Sequence, residues 1–105
     1  MTVVVVEDAA QDLESGRRFY DSREPGVGDY FVESLLSDLS SLSLYSGIHP
    51  IHFGYYRMLS KRFPFAVYYK VEGDLASVWR VLDCRREPSW IRRQLKPRRT
   101  RRSSE

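Results

Sequence analysis

A chain of 105 residues with 42% hydrophobic and 30% charged side chains has length and apolar content for one globular domain, which excludes two domains or a wholly disordered chain. No run approaches the ~20 apolar residues of a membrane helix; the opening Met1-Thr2-Val3-Val4-Val5-Val6-Glu7-Asp8 is unlike a secretory signal, and the lone Cys84 excludes an internal disulfide, so a cytoplasmic protein without membrane contact is expected. Net charge is only +3, but residues 1–50 hold nine acidic and three basic side chains while residues 51–105 hold five acidic and fourteen basic, an asymmetry that points to a polyanion or an acidic partner.

Val3 to Val6 is a β-branched run too short for a buried helix and reads as a strand. Asp8 can cap the helix that follows, with Gln11 completing a capping box. Ala9, Leu13, Gly16 and Tyr20 form that helix's apolar stripe. Glu24-Pro25-Gly26-Val27-Gly28 breaks it, and a second helix starts near Asp29 with Phe31, Leu35, Leu39 and Leu42 inward and Ser34, Asp38 and Ser41 outward. So short a link implies an antiparallel helix hairpin.

After a break at Ser46–Pro50 the pattern changes to three runs rich in aromatic and β-branched residues: Gly54–Leu59, Phe65–Val71 and Ala76–Asp83. Short connections through Arg62-Phe63-Pro64 and Glu72-Gly73-Asp74 make them a three-stranded meander. The middle run is apolar on both faces, as suits a central strand with helices covering one side. The opening strand should join the meander's edge and bury its valines there. Pro88 suits the first turn of a last helix, Ser89–Leu95. The fold class is therefore α+β in a single domain, residues 1–95, with helices packed on a small antiparallel sheet. A basic tail at 96–105 is expected to be disordered.

With these elements in order, the chain resembles the RelE/ParE superfamily, the toxins of type II toxin–antitoxin systems of the plasmid-stabilisation kind. The resemblance runs from Val3 to Leu95. It rests on Phe19-Tyr20-Asp21, on Gly26-Val27-Gly28-Asp29-Tyr30-Phe31 and on Gly54-Tyr55-Tyr56-Arg57. It also rests on Arg62 through Val71 and on Val81 through Pro88. It implies a small toxin held inactive by a cognate antitoxin in a hetero-oligomer. RelE-like members cut messenger RNA on the ribosome, whereas ParE-like members poison DNA gyrase without cutting.

Cutting RNA requires a base, cations for the phosphorane and an acid for the leaving oxygen. Carried over by resemblance, Arg57 falls at the first cation position, and either Arg85 or Arg86 falls at the arginine closing the last strand. Leu59 and Ala66 stand where two further cations are implied, and Ile91, beside Trp90, stands where a tyrosine is implied. Losing one such donor commonly costs ~3 kcal/mol of transition-state stabilisation. Lys61 and Arg62 could substitute from their loop. The balance favours a non-catalytic, ParE-like protein whose target- or antitoxin-binding residues are Arg57, Lys61, Arg62, Arg85, Arg86 and Trp90. If the chain is instead an endoribonuclease, Arg57, Arg85 and Arg86 are its catalytic candidates. A third reading is a non-toxic relative that binds nucleic acid through its basic tail.

No cofactor or metal is implied. His49 and His52 read as solvent-facing loop residues because no further ligand supports them. Cys84 reads as a structural residue at a strand end despite the flanking arginines. Of Tyr55, Tyr56, Tyr68 and Tyr69, alternation places about two in the core and leaves the others free to stack bases. Trp90 reads first as the anchor of the last helix.

Overall fold

A computed structural model describes residues 1–97, so most of the basic tail, residues 98–105, lies outside the described residues. The opening valines form β1 (Thr2–Val5), and the pairing continues for one more residue, since the Val6 N–H donates to the Val78 carbonyl at 3.1 Å. That bond makes Val6 the N-cap of α1 (Glu7–Arg23), with no side-chain cap. Asp8 therefore lies inside the first turn and is not the cap. There its charge, with that of Glu7, still favours the helix N-terminus.

Helix α2 (Val27–Ser40) begins after Gly26, whose φ is 94°. Asp21 of α1 joins the two helices by accepting hydrogen bonds from the Gly26 and Gly28 N–H groups at 3.0 and 3.1 Å. Two glycines let the helices come this close. A Cβ at Gly16 would strike the Phe31 ring, and one at Gly28 would strike the Arg17 carbonyl oxygen. Phe31, Leu35 and Leu39 are buried as expected, and Leu42 follows in a separate turn, α3 (Leu42–Tyr45).

Ser34 and Asp38 do not point outward: both are buried. Asp38 accepts hydrogen bonds from the Ser60 hydroxyl at 2.6 Å and the Lys61 N–H at 3.3 Å. The loop before the central strand covers this side of α2, so a polar residue there needs an internal partner.

Five strands form one sheet in the order β1-β5-β4-β3-β2, where β2 is Ile51–His52, β3 Tyr55–Leu59, β4 Phe65–Glu72 and β5 Leu75–Asp83. The meander is present, but the sheet is mixed: β1 runs parallel to β5, and β2 is a short fifth strand. Only hairpin-linked neighbours are obliged to run antiparallel, and β1 reaches β5 through most of the chain. As an edge strand, β1 buries its valines only in part, leaving Val4 39% and Val5 38% exposed.

Helices cover both faces of the sheet. On one face Phe65, Val67, Tyr69, Val78 and Val81 pack against α1 and α2. On the other, α4 (Pro88–Leu95) lays Ile91 and Leu95 over Tyr55, Ala66, Tyr68 and Leu82. Tyr55, Tyr68 and Tyr69 are consequently buried and Tyr56 is half-buried, so none of the four tyrosines is an open stacking platform. The expectation that half would be free fails because α4 covers the second face.

A β-bulge sets where α4 lies. Tyr69 faces Val78 while Tyr68 faces Arg80, leaving Trp79 as an extra residue in β5. The bulge aims Trp79 and Arg80 at the end of α4. There the Trp79 indole N–H and the Tyr55 hydroxyl donate to the Leu95 carbonyl at 3.2 and 2.9 Å. Arg80 donates to the Gln94 carbonyl at 2.8 Å. These are carbonyls that a helix C-terminus leaves without intrahelical partners.

Candidate functional site

Arg80 is also held from α1. Asp12 accepts from it at 2.7 and 2.8 Å and takes the Val81 N–H at 2.9 Å, so one carboxylate serves both the guanidinium and the next backbone amide of β5. The paired carboxylate keeps Arg80 above its ordinary pKa. This bridge forms one wall of a groove of about 370 Å³ between α1, the end of β5 and α4, lined by Gly16, Phe19, Phe65, Arg86 and Trp90 among others.

The turn after β5 carries the two arginines that the sequence could not tell apart, and their settings differ. Arg85 is tied to Asp83 by contacts of 3.0 and 2.7 Å. That bond draws the Asp83 carboxyl below its usual range and holds Arg85 above its own. Arg86 forms no ion pair among the described residues and lies over the Trp90 ring at 3.8 Å from its centroid. Trp90 is half-buried against the Tyr55–Leu82 cluster. It therefore serves as helix anchor and as platform for Arg86. Arg85, Arg86, Trp90 and Arg93 share one shallow depression with Glu87.

Arg57 stands on β3, opposite Tyr68, on the α4 side of the sheet. Its Nε is buried without a hydrogen-bond partner among the described residues. The Tyr68 hydroxyl beside it is pushed up by burial, an effect the neighbouring guanidinium only partly offsets. Arg57 is two strands and three residues from Asp83 in the sheet register. At about 4.8 Å per strand and about 3.3 Å per residue, the backbones are about 14 Å apart. Arg86 follows three residues beyond Asp83, in the turn after β5, and no cavity among the described residues is lined by both Arg57 and Arg86. Lys61 and Arg62 are exposed in the β3–β4 loop, where Lys61 borders a separate small cavity with Asp38, Ser41 and Leu59.

The histidines differ from expectation. His49 is half-buried, with Nδ1 against the Tyr69 hydroxyl, which also accepts the Gly47 N–H at 2.9 Å. Burial lowers its pKa. His52 is half-buried in β2. Cys84 packs at the edge of the α4-side cluster, as a structural cysteine would.

The sequence offered no sign of a second cationic corner made by Phe53, Lys70, Arg92 and Lys96, which come from four separated stretches of chain. Only the exposed aromatic in a Phe53-Gly54 turn could have drawn attention to it.

The mixed five-stranded sheet, backed by a helix hairpin and closed by a short last helix, defines an α+β domain whose fold is shared with a solved toxin–antitoxin structure. A chain from a solved structure described as the chromosomal ParDE TA system from P. aeruginosa superposes on it with a TM-score of 0.72 at 19% sequence identity, covering 79% of this chain and 95% of that one. No protein-family model matches the sequence, and no curated protein matches it either. Among the described residues no helix is long and apolar enough to cross a membrane.

Proposed function

We propose that this chain is the toxin of a type II toxin–antitoxin system, a ParE-like protein that arrests bacterial growth in the cytoplasm by gripping DNA gyrase. A cognate antitoxin neutralises it in a hetero-oligomer by covering the same cationic rim. The observation that carries this reading is the fold held in common with 95% of the ParDE chain. Arg57, Arg86 and Trp90 are the contacts of first importance, with Lys61 and Arg62 beyond them. Arg85 contributes less because Asp83 already neutralises it.

The rim's chemistry supports gripping over cutting. Ala66 is buried and Leu59 is apolar at positions where the resemblance implies cations. The hydroxyl beside Arg57 has its pKa raised, which ill suits a base that must lose its proton near neutral pH. One feature favours the RelE-like alternative: the orphaned Arg57 Nε would be satisfied by a phosphate oxygen.

The purified chain should inhibit gyrase supercoiling at micromolar concentration, and its antitoxin should restore the activity. Arg57→Ala and Arg86→Ala should each weaken inhibition about tenfold or more, as removal of an interfacial arginine anchor commonly does. Intact supercoiling together with cleaved messenger in a translating extract would transfer the function to the endoribonuclease reading. Intact supercoiling, intact messenger and harmless expression would remove both.

A further inference from the structure

The β2–β3 hairpin closes through Phe53 and Gly54, with φ of 56° and 86°. Two positive φ values make a type I′ turn, whose first position ordinarily holds Asn, Asp or Gly because a bulky side chain is strained there. Phe53 is the only non-glycine residue with positive φ among the described residues, and the residue is 40% exposed. A residue that breaks a local rule while its side chain stays largely in solvent is where function is to be sought.

The surroundings of this ring are cationic. Arg92 lies 5.3 Å from its centroid, and the adjoining cavity of about 310 Å³ is also lined by Tyr55, Lys70 and Lys96. Lys70 is 4.8 Å from the Tyr55 ring and 5.8 Å from that of Trp79. No carboxylate lines the cavity, and Lys70, Arg92 and Lys96 form no ion pair among the described residues. Arg98, Arg99, Arg101 and Arg102 follow directly in sequence.

We propose that this corner binds single-stranded nucleic acid, with phosphates at Lys70, Arg92 and Lys96 and one base stacked on the outer face of Phe53. Three cations without ion pairs around a cavity lined by no acid suit a polyanion. A duplex would satisfy the cations but has no unpaired base to offer the ring. An acidic peptide would likewise leave the strained aromatic without a purpose. Stacking on a π-face tolerates any base, so the site selects single strands over duplexes without selecting sequence. It involves none of Arg57, Arg85 or Arg86 and does not rest on the toxin reading.

Phe53→Gly is the sharpest test, because glycine relieves the strained turn while deleting the stacking face. Binding of the full chain to labelled oligothymidine and oligouridine of about 15 nucleotides, near the upper site size of single-strand grooves, is measured by fluorescence anisotropy. Phe53→Gly should weaken it roughly 5- to 150-fold without lowering the melting temperature, and should leave duplex binding unchanged. The double variant Lys70→Gln/Lys96→Gln should reduce the slope of log K against log salt by about 1.4, about 0.7 per cation. Unchanged affinity in both variants would assign the binding to the arginines after Pro97 and overturn the proposal. Equal losses on duplex and single strand, or competition by polyglutamate as strong as by oligonucleotide, would overturn it as well.

Discussion

Replacing Asp12 with alanine removes at one stroke the two bonds to Arg80 and the acceptor of the Val81 N–H, two residues past the bulge. The side chains of Arg80 and Asp12 are 17% and 13% exposed, so this pair is neither a solvated surface contact nor a fully buried one. Exposed pairs contribute about 0–1 kcal/mol, while breaking a buried pair costs about 3–5 kcal/mol because a charge is stranded. An orphaned amide costs about 1–3 kcal/mol. Placing the site between these limits gives a loss of about 3 kcal/mol, or about 15 °C in melting temperature for a domain of this size. Asp12→Asn keeps one acceptor oxygen and should lose about half as much. Urea and thermal unfolding followed by circular dichroism measure both variants, with the urea slope unchanged if only stability has moved. Combining Asp12→Ala with Arg80→Met should recover part of the loss, since no charge is then stranded. A loss under about 1 kcal/mol, or strict additivity in the double variant, would refute the idea that one carboxylate links α1, the bulge and α4.

Gly16→Ala offers about 1 kcal/mol of helix propensity, yet its methyl would meet the Phe31 ring, which Tyr20, Phe63 and Phe65 confine. The variant should be destabilised by about 1–2 kcal/mol in a denaturant melt, as overpacked cores are, and a stabilised one would disprove the close approach of the helices. Burial depresses the pKa of His49 below its ordinary value of 6.5, so between the two values the unfolded chain takes up a proton that the folded chain does not. Its contribution to stability is whole above pH 6.5 and is lost as pH falls through the depressed value. His49→Gln should flatten the stability profile in that window, and an unaltered profile would show that His49 is not the titrating group. Trp90→Ala removes both the ring under Arg86 and part of the α4 packing. It should cost about 3 kcal/mol, and if Arg86 depends on that platform it should weaken target inhibition more than Arg93→Ala does.

How much was legible can be judged residue by residue. Ala9, Leu13, Phe31, Leu35 and Leu39 were readable as helix faces because spacing alone sets which side chains share a stripe. Pro88 at the start of α4 and the turns between β3, β4 and β5 were readable because Pro and Gly restrict or free the local backbone. Asp38 was misread as solvent-facing because the loop that covers it arrives from twenty-two residues away. Arg85 and Arg86 could not be separated in sequence, since the difference lies in whether Asp83 or Trp90 meets each side chain.

Local periodicity, turn chemistry and the charge asymmetry needed no tertiary information, because each depends on neighbours along the chain. They determined the order of the main elements, without α3 and β2, the α+β class and the basic character of the second half. The parallel seating of β1, the covering of the sheet's second face by α4 and the Phe53 corner were decided only by the tertiary structure. Each depends on which distant segments are brought together: Asp12, sixty-eight residues before Arg80, holds the side chain that flanks the β5 bulge and reaches the end of α4.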